Sequence, residues 1–337
     1  MKAIRIDGRT PGGDRNKLSE SIPLSTPYLV QVFPVYGCNF KCNYCIHSID
    51  KSKRGYVTEK KVMDYELYKK CIDELCDFPE KIKMLRFAGT GEPLLHNNIV
   101  SMVDYAVKKE VASSIDIVTN GALLKPELSK ALVDSGLTRI RISIQGVNAK
   151  KYKHTIGVEF DFDKFIENLI YLYENKENTQ IYIKVIDCAL DNDDDQKFFE
   201  IFGDLCDVIA IENVIPATSQ IDYSRIMGNE NSNLTQNGVN VSDIEVCSQP
   251  FYLMQINPDG NIVPCCAMET THIVGNCKYQ NLSEIWNGKK FKDFRKVQLM
   301  KKKSIYSVCN KCQLYKHSTF SEDILDYDAE RLLKIFK

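Results

Sequence analysis

The stretch VYGCNFKCNYCIHS, residues 35–48, places Cys38, Cys42 and Cys45 within one short loop. Three thiols that close serve a disulfide, a zinc ion or an iron–sulfur cluster. A structural zinc site takes four ligands, usually as two pairs from separate knuckles. His47 stands near enough to be a fourth, but its two-residue hop from Cys45 makes an awkward tetrahedron. A cubane cluster held by three protein thiolates leaves one iron open to a small molecule. That is a catalytic arrangement, on the same logic by which a catalytic zinc keeps an open position.

Working outward, the loop follows a first apolar run, YLVQVFP (28–34), and five more runs come after it: 83–89, 114–121, 139–146, 180–187 and 207–214. Most are rich in β-branched residues and end in Gly, Pro, Asn or Asp, which is strand behaviour. Helical patterns lie between them around 64–76, 97–110, 126–135, 163–174 and 194–205; Ile99, Met102, Val103 and Ala106 share one face. An apolar strand followed by an amphipathic helix, repeated about six times, predicts parallel βαβ units with right-handed crossovers. The expected fold is α/β, a partial (βα)6 TIM-like barrel over 28–215, with ligands at the C-terminal ends of its strands. The cysteine loop sits at such an end.

Residues 1–27 read as an N-terminal extension and 216–246 as a polar, Asn- and Ser-rich linker. A small Cys-rich module of hairpin and helix follows over 247–320, with NPDG (257–260) as the turn signal between two apolar runs. Residues 321–337 read as a terminal helix with Ile324, Leu325, Leu332 and Ile335 available to pack.

The 337-residue chain is 44% hydrophobic and 26% charged, enough to bury a large core. Its net charge of −1 creates no field favouring nucleic acid or anionic membrane. No stretch approaches the ~20 apolar residues that span a bilayer, and the first residues lack the apolar core of a secretory signal. A cytoplasmic location is expected, where disulfides rarely persist. The thirteen cysteines are an odd count, so disulfides alone cannot use them all. Cys71, Cys76, Cys188 and Cys206 stand alone in apolar patterns and read as small hydrophobes.

Cys38-x3-Cys42-x-aromatic-Cys45 after the first strand resembles the signature of the radical S-adenosylmethionine (radical SAM) superfamily. The resemblance implies that Cys38, Cys42 and Cys45 bind three irons of a [4Fe–4S] cluster, with SAM chelating the fourth. It places Tyr44 near the adenine. FAGTGEP (87–93) resembles the family's Gly-Gly-Glu motif, which implies contacts from Gly91 and Glu92 to the methionyl amino group; Thr90 stands where the first glycine is usual. VTNG (118–121) and ISIQG (142–146) end the next two strands as in related enzymes, with Ser143 kept and Gln145 in place of an acid.

Cys247, Cys265, Cys309 and Cys312 are similar in pattern to a SPASM domain, the C-terminal extension of many such enzymes. No cysteine follows Cys312, so the pattern resembles the truncated "twitch" form with one auxiliary [4Fe–4S] cluster on these four residues. Spacing alone leaves structural zinc equally open. Cys266 reads either as a packed thiol or as a hydrogen-atom donor facing the active site, and Cys277 as structural.

By the same resemblance, a flavodoxin or ferredoxin supplies one electron, SAM is cleaved to methionine and a 5′-deoxyadenosyl radical, and the radical takes a hydrogen atom from substrate. The leading expectation is oxidation of an alcohol on a small, sugar-like or aminocyclitol-like molecule, with the auxiliary cluster taking the remaining electron. Epimerisation with Cys266 as donor, or peptide modification, are the alternatives. The 37 residues before Cys38 favour a small substrate over a peptide. The stretch GRTPGGDRNKLSESIPLSTPY (8–28) reads as surface strand or substrate contact.

Overall fold

The computed structural model describes residues 1–8, 15–191, 193–227 and 233–336. Among the described residues ten strands form one sheet: β1 (Ile4–Arg5), β2 (Leu29–Val32), β3 (Ile82–Phe87), β4 (Ala112–Thr119), β5 (Arg139–Ile144), β6 (Gln180–Ile186), β7 (Val208–Glu212), β8 (Leu253–Ile256), β9 (Asn261–Val263) and β10 (Gly275–Asn276). Their order is β1-β7-β6-β5-β4-β3-β2-β8-β9-β10. The run from β2 to β7 is parallel throughout and in sequence order, as helix crossovers require. It is the expected partial six-stranded α/β barrel. All six predicted barrel strands are present; each ends one or two residues earlier than expected, and β3 and β4 also begin one and two residues earlier.

The sheet does not stop at the barrel. β8 pairs parallel with β2, and the Leu253–Val263 hairpin turns through the predicted NPDG segment. At the other edge β1 pairs parallel with β7. Residues from both the N-terminal and the Cys-rich segments therefore extend the barrel's own sheet. Residues 9–14 of the N-terminal stretch and 228–232 of the predicted linker lie outside the described residues.

Alternate residues of each strand face opposite ways. Ile140, Ile142 and Ile144 of β5 are buried in the main apolar core, together with Ile181, Ile183 and Val185 of β6. That core includes Tyr68, Ile72, Met102, Val103, Leu169 and Leu172 from the helices Tyr65–Leu75, Ile99–Lys108 and Phe162–Glu174. The other row of these strands is polar: Gln31, Arg86, Asp116, Arg139, Arg141 and Glu212 are buried or nearly so. A barrel interior is ordinarily filled by layers of apolar side chains. Buried charge in that place marks a functional interior.

The structure adds a helix that apolar periodicity did not predict, Ala149–Ile156. Its sequence AKKYKHTI buries Tyr152, Thr155 and Ile156 and is otherwise charged. It starts because the Asn148 side chain accepts from Lys151 N, and it ends at Gly157, whose φ of 68° suits glycine. The C-terminal helix is shorter than expected, Ala329–Ile335. Leu325 and Leu332 are fully buried, but Ile335 is exposed and Phe336 packs instead.

Candidate active site and auxiliary cluster site

The three-cysteine loop is held on several sides by backbone hydrogen bonds. Lys41 N and Asn43 N donate to Ile156 O and Thr155 O, so the last turn of the Ala149–Ile156 helix fixes the loop between Cys38 and Cys45. The Tyr223 hydroxyl donates to Tyr44 O at 2.9 Å. Glu92 N donates to Gly37 O at 2.8 Å, which brings the end of β3 against the loop. That approach explains Gly91: a Cβ there would run into the Val35 carbonyl oxygen and lie 2.8 Å from Gly37 O. Thr90 needs no such space. Its hydroxyl lies 3.4 Å from Met268 O, and its carbonyl oxygen is 3.1 Å from His47 Nε2.

Glu92 is fully enclosed. Its carboxylate accepts from the Thr119 hydroxyl at 2.7 Å, Asn120 N at 2.8 Å and Leu94 N at 3.0 Å. Burial raises its pKa to about 6 against those three bonds, which favour the charged form. Thus the VTNG segment at the end of β4 serves as the seat of Glu92. Asn120 reaches on to the loop, its side-chain nitrogen 2.8 Å from Asn39 Oδ1 and 3.7 Å from Cys38 Sγ. Tyr44 and Gln145, assigned separately from sequence, meet directly at 2.5 Å. Gln145 Nε2 also donates to Ser143 O at 3.1 Å.

A second constellation surrounds a cavity of about 390 Å³ of empty volume. Cys247, Cys265, Cys309 and Cys312 all line it, with Gln249, Thr271, Lys303 and Tyr315. Segments 44 residues apart in the chain thereby converge on one space. Cys266 turns the other way. It lines the central barrel cavity with Cys38 and Cys45, and its thiol lies 3.5 Å from Gln249 Oε1. Gln249 stands between the two cavities. Cys277 interacts with Cys71 across buried space, joining two thiols that the sequence reading left as solitary.

All thirteen cysteines are free thiols. Burial pushes the Cys38 thiol up to about 11 and Cys309 up to about 12, and drives Cys42, Cys45, Cys247, Cys265 and Cys312 upward as well. Such thiols stay protonated until positive charge arrives, and bound iron supplies it. Among the described residues no three His, Cys, Asp or Glu side chains converge as ligands of a single metal ion. Both sets of thiols, Cys265 and Cys309 buried and Cys38, Cys42, Cys45, Cys247 and Cys312 half-buried, become metal ligands once deprotonated.

The radical SAM superfamily model matches residues 32–202, half of the chain, and the SPASM iron–sulfur cluster-binding domain matches residues 247–313. The chain belongs to the radical SAM superfamily. As a radical SAM enzyme with a SPASM domain it takes [4Fe–4S] clusters and SAM. It is similar to the tungsten-containing aldehyde ferredoxin oxidoreductase cofactor-modifying protein of Pyrococcus furiosus, 25% identical over 326 residues, covering 82% of this chain and 85% of that one. It is also similar to the GTP 3′,8-cyclase of Alkaliphilus oremlandii, 32% identical over 137 residues, but there it spans only 39% of either chain. In fold this radical SAM chain resembles BtrN in complex with AdoMet and 2-DOIA, with TM-score 0.53, 22% identity, and 85% of this chain and 92% of that one covered. It likewise resembles Streptococcus suis SuiB bound to S-adenosylmethionine, with TM-score 0.64, 16% identity, and coverage of 91% and 79%. Among the described residues no helix is long and apolar enough to cross a membrane.

The central cavity, about 1230 Å³ of empty volume, is lined by residues that the strand pattern alone did not single out: Arg86, Arg141, Lys184 and Glu212. They alternate with apolar neighbours in MLRFAG, RIRISI, IYIKVI and VIAIE. A charge set among apolar residues in a strand buried on both faces was the available signal. Lys184 and Arg141 both pair with Glu212, while Arg86 and Arg139 share Asp116.

Proposed function

We propose that this radical SAM enzyme oxidises a secondary alcohol of a small polyhydroxylated molecule to a ketone, in the central cavity between Cys38, Cys45 and Cys266. The supporting observation is the adjacency of the two cavities: Cys265 lines one and Cys266, the next residue, lines the other. When bound, the clusters and SAM supply a radical that takes a hydrogen atom from carbon and an acceptor for the electron left there. Cys38, Cys42 and Cys45 would hold the first cluster, and Cys247, Cys265, Cys309 and Cys312 the second. Gly91 and Glu92 seat the methionyl ammonium, while Tyr44, Ser143 and Gln145 border the nucleoside.

Glu212 takes the hydroxyl proton. It is the sole carboxylate among the described residues lining the cavity. Burial acts to raise its pKa, but Lys184 and Arg141 outweigh this and keep it ionised. One hydrogen atom, one proton and one electron leave the alcohol, which balances its conversion to a ketone. BtrN, whose solved complex holds AdoMet and 2-DOIA, shares the fold and guides the choice of a small substrate.

A second reading has its own support. Cys266 faces the same cavity as Cys38 and Cys45, where a thiol can return a hydrogen atom to a substrate radical and invert its carbon. Turnover in deuterium oxide separates the two. A two-electron-oxidised product without deuterium at carbon, and unchanged by Cys266→Ala, supports oxidation. Deuterium at carbon, lost with Cys266→Ala, establishes epimerisation instead.

A further inference from the structure

We infer that Thr271 is a positioning residue for the auxiliary site: its hydroxyl, acting through Cys265, raises the reduction potential of the cluster held there. The inference rests on the reading of Cys247, Cys265, Cys309 and Cys312 as that cluster's ligands. Thr271 Oγ1 lies 3.3 Å from Cys265 Sγ, on the wall of the cavity that the four cysteines share. A thiol and a hydroxyl can each donate, but a sulfur bound to iron has lost its proton. With the site loaded, Thr271 is therefore the donor and Cys265 the acceptor.

The chain fixes this hydroxyl from both sides. Just before it, Thr270 N donates to Tyr56 O at 2.9 Å and the Thr270 hydroxyl donates to Val57 O at 2.7 Å. Those bonds pin the turn after Cys265 to the segment that follows the first cysteine loop. Just after it, the His272 ring stacks on Phe294 with centroids 5.6 Å apart and packs against Tyr306 at 4.8 Å. Thr271 is itself half-buried, and its branched side chain has few rotamers to choose from. It meets Cys265 as a donor already in place.

Reduction of an iron–sulfur cluster adds one negative charge, and hydrogen bonds to the sulfurs are among the features that set its potential. A donor fixed at Cys265 Sγ favours the more negative state. Cys265 is buried, where a hydrogen bond is electrostatically stronger than in water. In the alcohol oxidation proposed above, Thr271 thereby makes it easier to draw off the electron left on the substrate. One electron is taken up, no bond to Thr271 forms or breaks, and its proton stays on oxygen.

The test is a potentiometric titration followed by electron paramagnetic resonance on anaerobically reconstituted full-length protein. The auxiliary signal is the one that SAM leaves unchanged. Thr271→Val matches the side chain in shape and removes the donor, whereas Thr271→Ser keeps the donor. Thr271→Val should lower the one-electron reduction constant about tenfold, a downward shift of about 59 mV, with the irons of both sites retained. Thr271→Ser should stay near the wild type. A merely structural hydroxyl would change Tm and leave the potential where it was. A potential unchanged in Thr271→Val, or lowered as far in Thr271→Ser, overturns the inference. If Thr271→Val does not hold its irons, Thr271→Ala is compared with Thr271→Ser by the same criterion. A wild type with no reducible signal insensitive to SAM would overturn the ligand reading and the inference together, whereas an unmoved potential overturns the inference alone.

Discussion

The Tyr44 hydroxyl donates to Gln145 Oε1 at 2.5 Å, tying the cysteine loop to the C-terminal end of β5. Tyr44 is half-buried, and desolvation favours the neutral, donating form of its hydroxyl. A neutral amide is a suitable partner there, because Gln145 can accept from Tyr44 while donating to Ser143 O. This accounts for the glutamine where an acid is usual. Gln145→Ala would remove the partner of a half-buried hydroxyl at a cost of about 1 kcal/mol. Differential scanning calorimetry should show a lower Tm, and SAM should bind more weakly. Equal Tm and equal affinity would show that this bond does not organise the site.

Glu92 makes a pH-dependent prediction. Its folded pKa of about 6 lies above the ordinary carboxyl value, so ionising it costs folding free energy. That cost is absent below the unfolded value and complete above about 6. An ammonium placed against the carboxylate reverses the balance. SAM affinity should therefore fall as pH drops through 6, and Glu92→Gln should bind SAM more weakly with this dependence removed. Titration calorimetry across pH 5 to 8 reads both; a flat wild-type profile would refute the contact.

Gly91→Ala tests the close approach of β3 to the cysteine loop. The added methyl meets backbone, the Val35 and Gly37 carbonyls, rather than a side chain that could swing aside. Iron bound at the first site and SAM affinity should both drop, while iron at the auxiliary site stays. Normal occupancy of both sites would mean the loop gives way.

Much of this was legible in the chain. The six barrel strands announced themselves because β-branched runs buried on both faces leave little alternative. The seven proposed ligand cysteines came from the resemblance of their pattern to the radical SAM and SPASM signatures, and the structure gathers the last four around one cavity. The Ala149–Ile156 helix was missed because its stability comes from Asn148, Gly157 and three inward residues rather than an apolar stripe. Arg86, Arg141, Lys184 and Glu212 were missed for a different reason: which face of a doubly buried strand points inward is settled by closure of the sheet. The bond between Tyr44 and Gln145 spans 101 positions and has no local trace.

The most direct test of two separate clusters is iron and sulfide analysis with electron paramagnetic resonance on anaerobically reconstituted protein, wild type against Cys38→Ala/Cys42→Ala/Cys45→Ala. The wild type should hold about eight irons and eight sulfides, as two cubanes, and SAM should alter one of two reduced signals. The triple variant should keep about four irons and lose the response to SAM. Bound zinc in place of iron, or a triple variant that keeps the full iron content and the SAM-sensitive signal, would contradict the assignment.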